Sequence, residues 1–185
     1  MGILNRAAVL AFALTLLTIA GPLLHGQAAY AQVSSSQIEK KVKAGLIYNF
    51  LKYTDWPAQA MNKGGQIRLC LLGPDPFDGA LEPLEGRTAQ NKTITILRVE
   101  TAEEGKNCHL LFIHRNLHSS LGDYLTQLAG YPVLLVSDMQ SFSHQGGMVE
   151  LATENGYINM HVNKSAVRES GLAIQDRLLK LAKNP

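Results

Sequence analysis

Ile67-Arg68-Leu69-Cys70-Leu71-Leu72, halted by Gly73-Pro74, is the stretch that decides the fold class. Leu69 to Leu72 is apolar without alternation, the pattern of a strand buried on both faces. The same pattern returns at Leu110 to Ile113 and at Val133 to Val136. Between these runs, Phe77 to Leu84 reads as a short helix, and Thr93 to Val99 alternates and is rich in β-branched residues, as a strand should be. Leu117 to Leu128 reads as a helix ended by Gly130. Strands alternating with helices imply an α/β fold, a mainly parallel sheet flanked by helices on both faces.

The rhythm changes toward the C-terminus. Met148 to Ala152 and Tyr157 to Val162 flank Glu154-Asn155-Gly156, and Asn-Gly is a strong turn signal for an antiparallel hairpin. Lys164 to Ser170 reads as a short helix closed by Gly171, and Ile174, Leu178, Leu179, Leu181 and Ala182 predict a terminal amphipathic helix. Upstream of the first strand, Ser36-Gln37-Ile38-Glu39 has the form of a capping box. Ile38, Val42, Leu46 and Phe50, widened by Ile47 and Leu51, then give the helix it would start an apolar stripe through Tyr53. Trp56-Pro57 ends that helix, because proline disfavours helical geometry at the residue before it.

Upstream the chain reads as an address. Arg6 supplies the early cation, Ala7 to Ala20 is apolar apart from Thr15 and Thr18, Gly21-Pro22 breaks the run, and Ala29-Tyr30-Ala31 follows. This is the three-part pattern of a secretory signal, with cleavage expected after Ala31 and a single domain over residues 32–185. Of the whole chain's 17 basic and 15 acidic side chains, the signal takes only Arg6, so a net charge of +2 falls to +1. With 46% hydrophobic and 17% charged residues, the chain suits a packed core and excludes both a disordered polymer and a nucleic-acid binder with a basic stripe.

Cys70 and Cys108 are the only cysteines, and an even count in an exported chain favours a disulfide over two free thiols. Closing a loop of this length contributes about 4 kcal/mol in the chain-entropy picture. Redox couples favour C-x-x-C spacing, and these two stand 38 positions apart.

Motifs for catalysis are missing: there is no phosphate-binding glycine loop, G-x-S-x-G elbow, H-E-x-x-H or calcium loop. His114 and His118 have metal-compatible spacing but no carboxylate or cysteine at ligand spacing beside them, so they read as polar surface residues and no metal or cofactor is expected. Ser137, Asp138 and His144 are the residue types of a hydrolytic triad, without anything to order them. Gly146-Gly147 reads as a turn into the next strand. Asp75 and Asp78 after the first strand, with Asp138 after the fourth, stand where parallel sheets bind ligands, at the carboxyl ends of strands. A rigid turn between Pro74 and Pro76 is the competing reading for Asp75. Tyr48, Phe50, Tyr53 and Trp56 exceed what a narrow core stripe needs, so part of this cluster is a candidate binding surface.

Two blocks carry a resemblance to a known family. Lys43-Ala44-Gly45-Leu46-Ile47-Tyr48-Asn49-Phe50-Leu51-Lys52-Tyr53-Thr54-Asp55-Trp56-Pro57 resembles the opening helix of the YfiR family of periplasmic proteins. Gly146-Gly147-Met148, Glu154-Asn155-Gly156 with Ile158 and Asn163, Ser170-Gly171-Leu172 and Leu178-Leu179-Lys180-Leu181-Ala182 resemble its C-terminal signature. Cys70 and Cys108 fall where members carry a cysteine pair. The resemblance implies a non-enzymatic periplasmic homodimer that binds the periplasmic domain of an inner-membrane diguanylate cyclase and represses it, lowering cyclic di-GMP and biofilm formation. A sensor kinase is the alternative membrane partner, and an outer-membrane lipoprotein is implied as a further one. One departure stands out: no cysteine lies between Phe142 and Val162, where the best-described member carries a second pair, so the resemblance does not extend to redox sensing through a second bridge. The reading from another class is a periplasmic small-ligand sensor using the crevice of Asp75, Asp78 and Asp138.

Overall fold

The computed structural model describes residues 26–61 and 64–182. Most of the expected signal segment lies outside the described residues. Residues 38–185 form a compact unit that holds the sheet.

Helix α1 is Gly26–Tyr53 and runs directly into β1, Thr54–Asp55. One-turn helix α2 is Ala58–Met61, and β2, Gln66–Leu72, is the strand on which the sequence argument opened. A 3-10 turn at Glu82–Leu84, hairpin strands β3 (Thr88–Ala89) and β4 (Lys92–Val99), helix α3 (Ala102–Gly105) and β5 (Leu110–Ile113) follow. A 3-10 segment, Arg115–Ser120, leads into α4, Leu121–Leu128, and then β6, Leu134–Ser137. The chain closes with the hairpin β7 (Val149–Glu154) and β8 (Tyr157–Val162), α5 (Lys164–Glu169), β9 (Ala173–Ile174) and α6 (Asp176–Leu179).

Seven strands form the main sheet in the order β3-β4-β2-β5-β6-β7-β8. The five from β4 to β7 are parallel neighbours, and β3 and β8 close the two edges antiparallel. Leu69 pairs with Leu110, and Leu110 with Leu134, so the three apolar runs of the sequence stand side by side at the centre. Every residue of β5 and β6 is buried, which requires cover on both faces of the sheet. The disulfide Cys70–Cys108 is formed, with 6.0 Å between the Cα atoms, and staples β2 to the chain entering β5.

Several expectations are corrected by the tertiary structure. Ser36 does not start a helix: α1 continues upstream of it, so the backbone amides it would cap already sit within the helix. Glu39 turns instead to Lys43, and accepts from the Thr153 hydroxyl at 2.7 Å. The buried face of α1 is also rotated from the expected stripe. Ala44, Ile47, Phe50 and Leu51 face the core, while Ile38 and Val42 are 60% and 47% exposed. The stretch 77–84 forms turns with only a single 3-10 turn, and the terminal helix is one turn long because Ile174 is taken by β9. Strand β9 pairs antiparallel with β1, Thr54 opposite Ile174, a tie between the end of α1 and the C-terminal segment that short strands conceal in a sequence. Gly147 is needed for packing as much as for a turn: a Cβ there would lie 2.3 Å from the Phe142 ring.

Candidate functional site

Strands β5, β6 and β7 run parallel, so the loops after them meet at one edge of the sheet, the edge where α/β folds place ligands. A cleft of about 660 Å³ opens there. Arg115 and Asn116 come from the turn after β5, Asp138 and Gln140 from the turn after β6, and Thr153 from the end of β7. Glu39 and Lys43 reach it from one face of α1, one helical turn apart.

Two cations and two carboxylates interlock at this edge. Lys43 is buried, with its ammonium 2.6 Å from Glu39 Oε1 and 3.4 Å from Asp138 Oδ2. Arg115 Nη2 donates to the same Asp138 oxygen while its side chain stays 55% exposed. Asp138 Oδ1 is buried and has no hydrogen-bond partner. Burial raises the Glu39 carboxyl, but the hydrogen bonds from Lys43 and Thr153 outweigh it and hold the group below its ordinary value.

The neighbouring side chains are structural. The Ser137 hydroxyl donates to the Ile113 carbonyl at 2.7 Å and accepts from Met139 N at 3.0 Å, so it is a loop clasp, with no hydrogen bond to His144. His114, expected on the surface, is buried; its Nδ1 accepts from Asn116 N at 3.1 Å and caps the 3-10 segment, while His118 is exposed. The three aspartates of the expected crevice do not converge. Asp138 lines the cleft, but Asp75 closes a turn by accepting from Phe77 N at 2.8 Å and pairs with Arg98 at 3.3 Å. Asp78 sits on an exposed turn with a φ of +50° and pairs with Lys40 at 3.5 Å. The prolines around Asp75 favour that turn, which engages Asp75 Oδ1 with the Phe77 amide.

The aromatic cluster divides as well. Phe50 is fully buried and Trp56 nearly so, its indole N–H donating to the His109 carbonyl at 3.1 Å; neither offers surface to a partner. Tyr48 and Tyr53 are half-buried and ringed by cations. The Lys52 ammonium stands 5.3 Å from one ring and 5.2 Å from the other, Arg87 lies 4.8 Å from Tyr48, and Arg177 lies 3.9 Å from Tyr53. These contacts hold the ring faces in place beside three positive charges.

At the opposite, amino ends of the strands, His109 precedes β5 next to the disulfide. Its Nδ1 accepts from Arg68 N at 2.9 Å, and burial, followed by the Arg68 charge, depresses its pKa to about 4. Sequence reasoning missed His109, Glu39, Lys43 and Arg115. For Lys43 a signal existed: the lysine falls on the helix face that carries Ile47 and Phe50, four residues after a glutamate.

A model of the YfiR/HmsC-like family (DUF4154) matches residues 40–183, a span that takes in the Tyr48–Tyr53 surface, the disulfide and all of the cleft except Glu39. The chain therefore belongs to the YfiR/HmsC-like family of periplasmic regulatory proteins.

Proposed function

We propose that this protein, exported by a signal cleaved after Ala31, binds the periplasmic domain of an inner-membrane diguanylate cyclase and represses it, lowering cyclic di-GMP and biofilm formation. The observation that carries the reading is the match of the regulatory family over residues 40–183. Tyr48 and Tyr53, with Lys52, Arg87 and Arg177 around them, are the partner surface on this reading, because flat aromatic faces set among cations suit an acidic, partly apolar segment. A homodimer is the form that acts. A sensor kinase is the alternative membrane partner, and an outer-membrane lipoprotein that withdraws the regulator is a further one.

Deleting the gene should raise cyclic di-GMP, and the purified protein should bind the periplasmic domain of the cyclase it represses. Unchanged cyclic di-GMP together with no binding overturns the reading. Within the complex, Tyr53→Ala should weaken binding by about 2 kcal/mol, as truncated interface anchors do. The contribution of the cations should show as affinity that falls with added salt.

A further inference from the structure

Helix α1 turns one long face to solvent that its own fold does not use. Ile38, Val42, Gly45, Asn49 and Lys52 follow one another at steps of four, three, four and three, the spacing of the seam between paired helices. The seam runs about 21 Å along α1, on the side away from the buried Ala44, Ile47 and Leu51. Ile38 and Val42 are exposed apolar side chains at one end, Gly45 is exposed in the middle, and Asn49 and Lys52 are half-buried at the other end. Gly45 is the telling position. Glycine weakens a helix interior, yet this backbone is helical and a Cβ here would meet nothing within 4 Å, so neither conformation nor packing within the chain calls for it. Bare backbone in the middle of a seam lets a second helix come close and seat a bulky side chain there.

Charge decides what fits this face. Lys41, exposed, and Lys52, which rests over Tyr48 and Tyr53, stand about three turns apart on one side of α1. Among the described residues no carboxylate pairs with either. Glu39, the only acid of α1, is turned to Lys43 and Thr153. A second copy of the helix fits poorly: parallel, it sets Lys52 against Lys52, and antiparallel, it sets Ile38 and Val42 against Lys52 and Asn49. We propose that the solvent face of α1 from Ile38 to Lys52 docks one amphipathic helix of another protein, apolar along its stripe, with a bulky side chain over Gly45 and carboxylates facing Lys41 and Lys52. A homodimer then uses a different face. Tyr53 of the proposed partner surface stands four residues after Asn49 and continues the same face, so the docking helix belongs to the repressed cyclase if the regulatory reading holds; only that identity rests on it.

Two synthetic four-heptad peptides test it on the purified protein by fluorescence anisotropy. Both carry leucine at the a and d positions; one has glutamate and the other lysine at e and g, so neither pairs readily with itself. The glutamate peptide should bind saturably, with an affinity that falls as salt is added, and the lysine peptide at least about tenfold more weakly. Gly45→Glu puts a carboxylate in the seam where nothing in the fold stands in its way, and should cut affinity for the glutamate peptide at least about tenfold without lowering Tm. Val42→Ser, which removes exposed apolar surface at unchanged charge, should cost about tenfold as well. No saturable binding of the glutamate peptide, equal binding of the lysine peptide, or undiminished affinity in Gly45→Glu would each overturn the proposal. Self-association of the protein that Gly45→Glu abolishes in sedimentation would also overturn it, by making a second copy the occupant. The cyclase's periplasmic domain is a separate arm: if it fails to bind while the glutamate peptide binds, the regulatory reading falls and the seam stands.

Discussion

The two edges of the parallel sheet bury polar groups in opposite ways. Around β2 and the chain entering β5, the disulfide Cys70–Cys108, the His109 ring accepting from Arg68 N and the Trp56 indole donating to the His109 carbonyl tie side chains to one another and to the main chain. At the carboxyl ends, side chains on α1 and three loops meet in a network of charge whose central oxygen, Asp138 Oδ1, stays unpaired. The difference is one of means: a disulfide and side-chain bonds to the main chain clamp one end, and side-chain charges tie the other. Placement follows from strand direction, since the loops after parallel strands converge at one edge of the sheet only.

The largest test of the comparison is the clamp. Reducing Cys70–Cys108, or replacing both cysteines by alanine, should lower stability by about 4 kcal/mol in urea unfolding. A small loss with intact fold would mean that the core strands, not the bridge, hold that edge. Next comes the charge network. Lys43→Met leaves Asp138 and Glu39 without their shared cation and should cost roughly 3 kcal/mol, with the loss visible as a lower Tm. If Lys43→Met proves neutral, the network is dispensable for folding and the contrast between the edges sharpens.

Acid should act on the clamp. His109 has a folded pKa of about 4, below its ordinary 6.5, so the unfolded chain binds the proton more readily between those values. Its contribution is complete above about pH 6.5 and is lost as pH falls toward 4, roughly 3 kcal/mol in all by the worth of one pKa unit. Urea midpoints measured across that window check it, and His109→Gln should flatten the profile. Smallest of all, Lys40→Ala, which removes the ion-pair partner of the exposed Asp78, should change stability by less than about 1 kcal/mol. A larger effect would place Asp78 in a structural role that its exposed turn does not suggest.

Much of the fold was legible because burial on two faces leaves a plain mark. Leu69 to Leu72, Leu110 to Ile113 and Val133 to Val136 announced the central strands, and Asn155-Gly156 announced the hairpin, each within a residue or two of its observed place. Helix α1 shows where legibility stops. Ile38, Val42 and Leu46 make an apolar stripe as regular as the one that is buried, and only the position of the sheet selects the face through Ala44, Ile47 and Leu51. Of the candidate residues, the sequence marked Asp138, which lines the cleft, and Tyr48 and Tyr53, which are half-buried. Asp75 and Asp78 shared their residue type and strand-end position and were drawn away by local turns.

Residue order alone determined the central strands, the C-terminal hairpin, the pairing of the two cysteines and the family, because each is written in local pattern or motif. Which side chains share a space was decided by the tertiary structure. Glu39 and Lys43 meet Arg115, Asp138 and Thr153 across as many as 114 positions, and no local rule couples residues so far apart. The physical reason is that a parallel sheet fixes where its loops converge, while the charge and hydrogen bonding found there depend on register and helix rotation, which only the packed core sets.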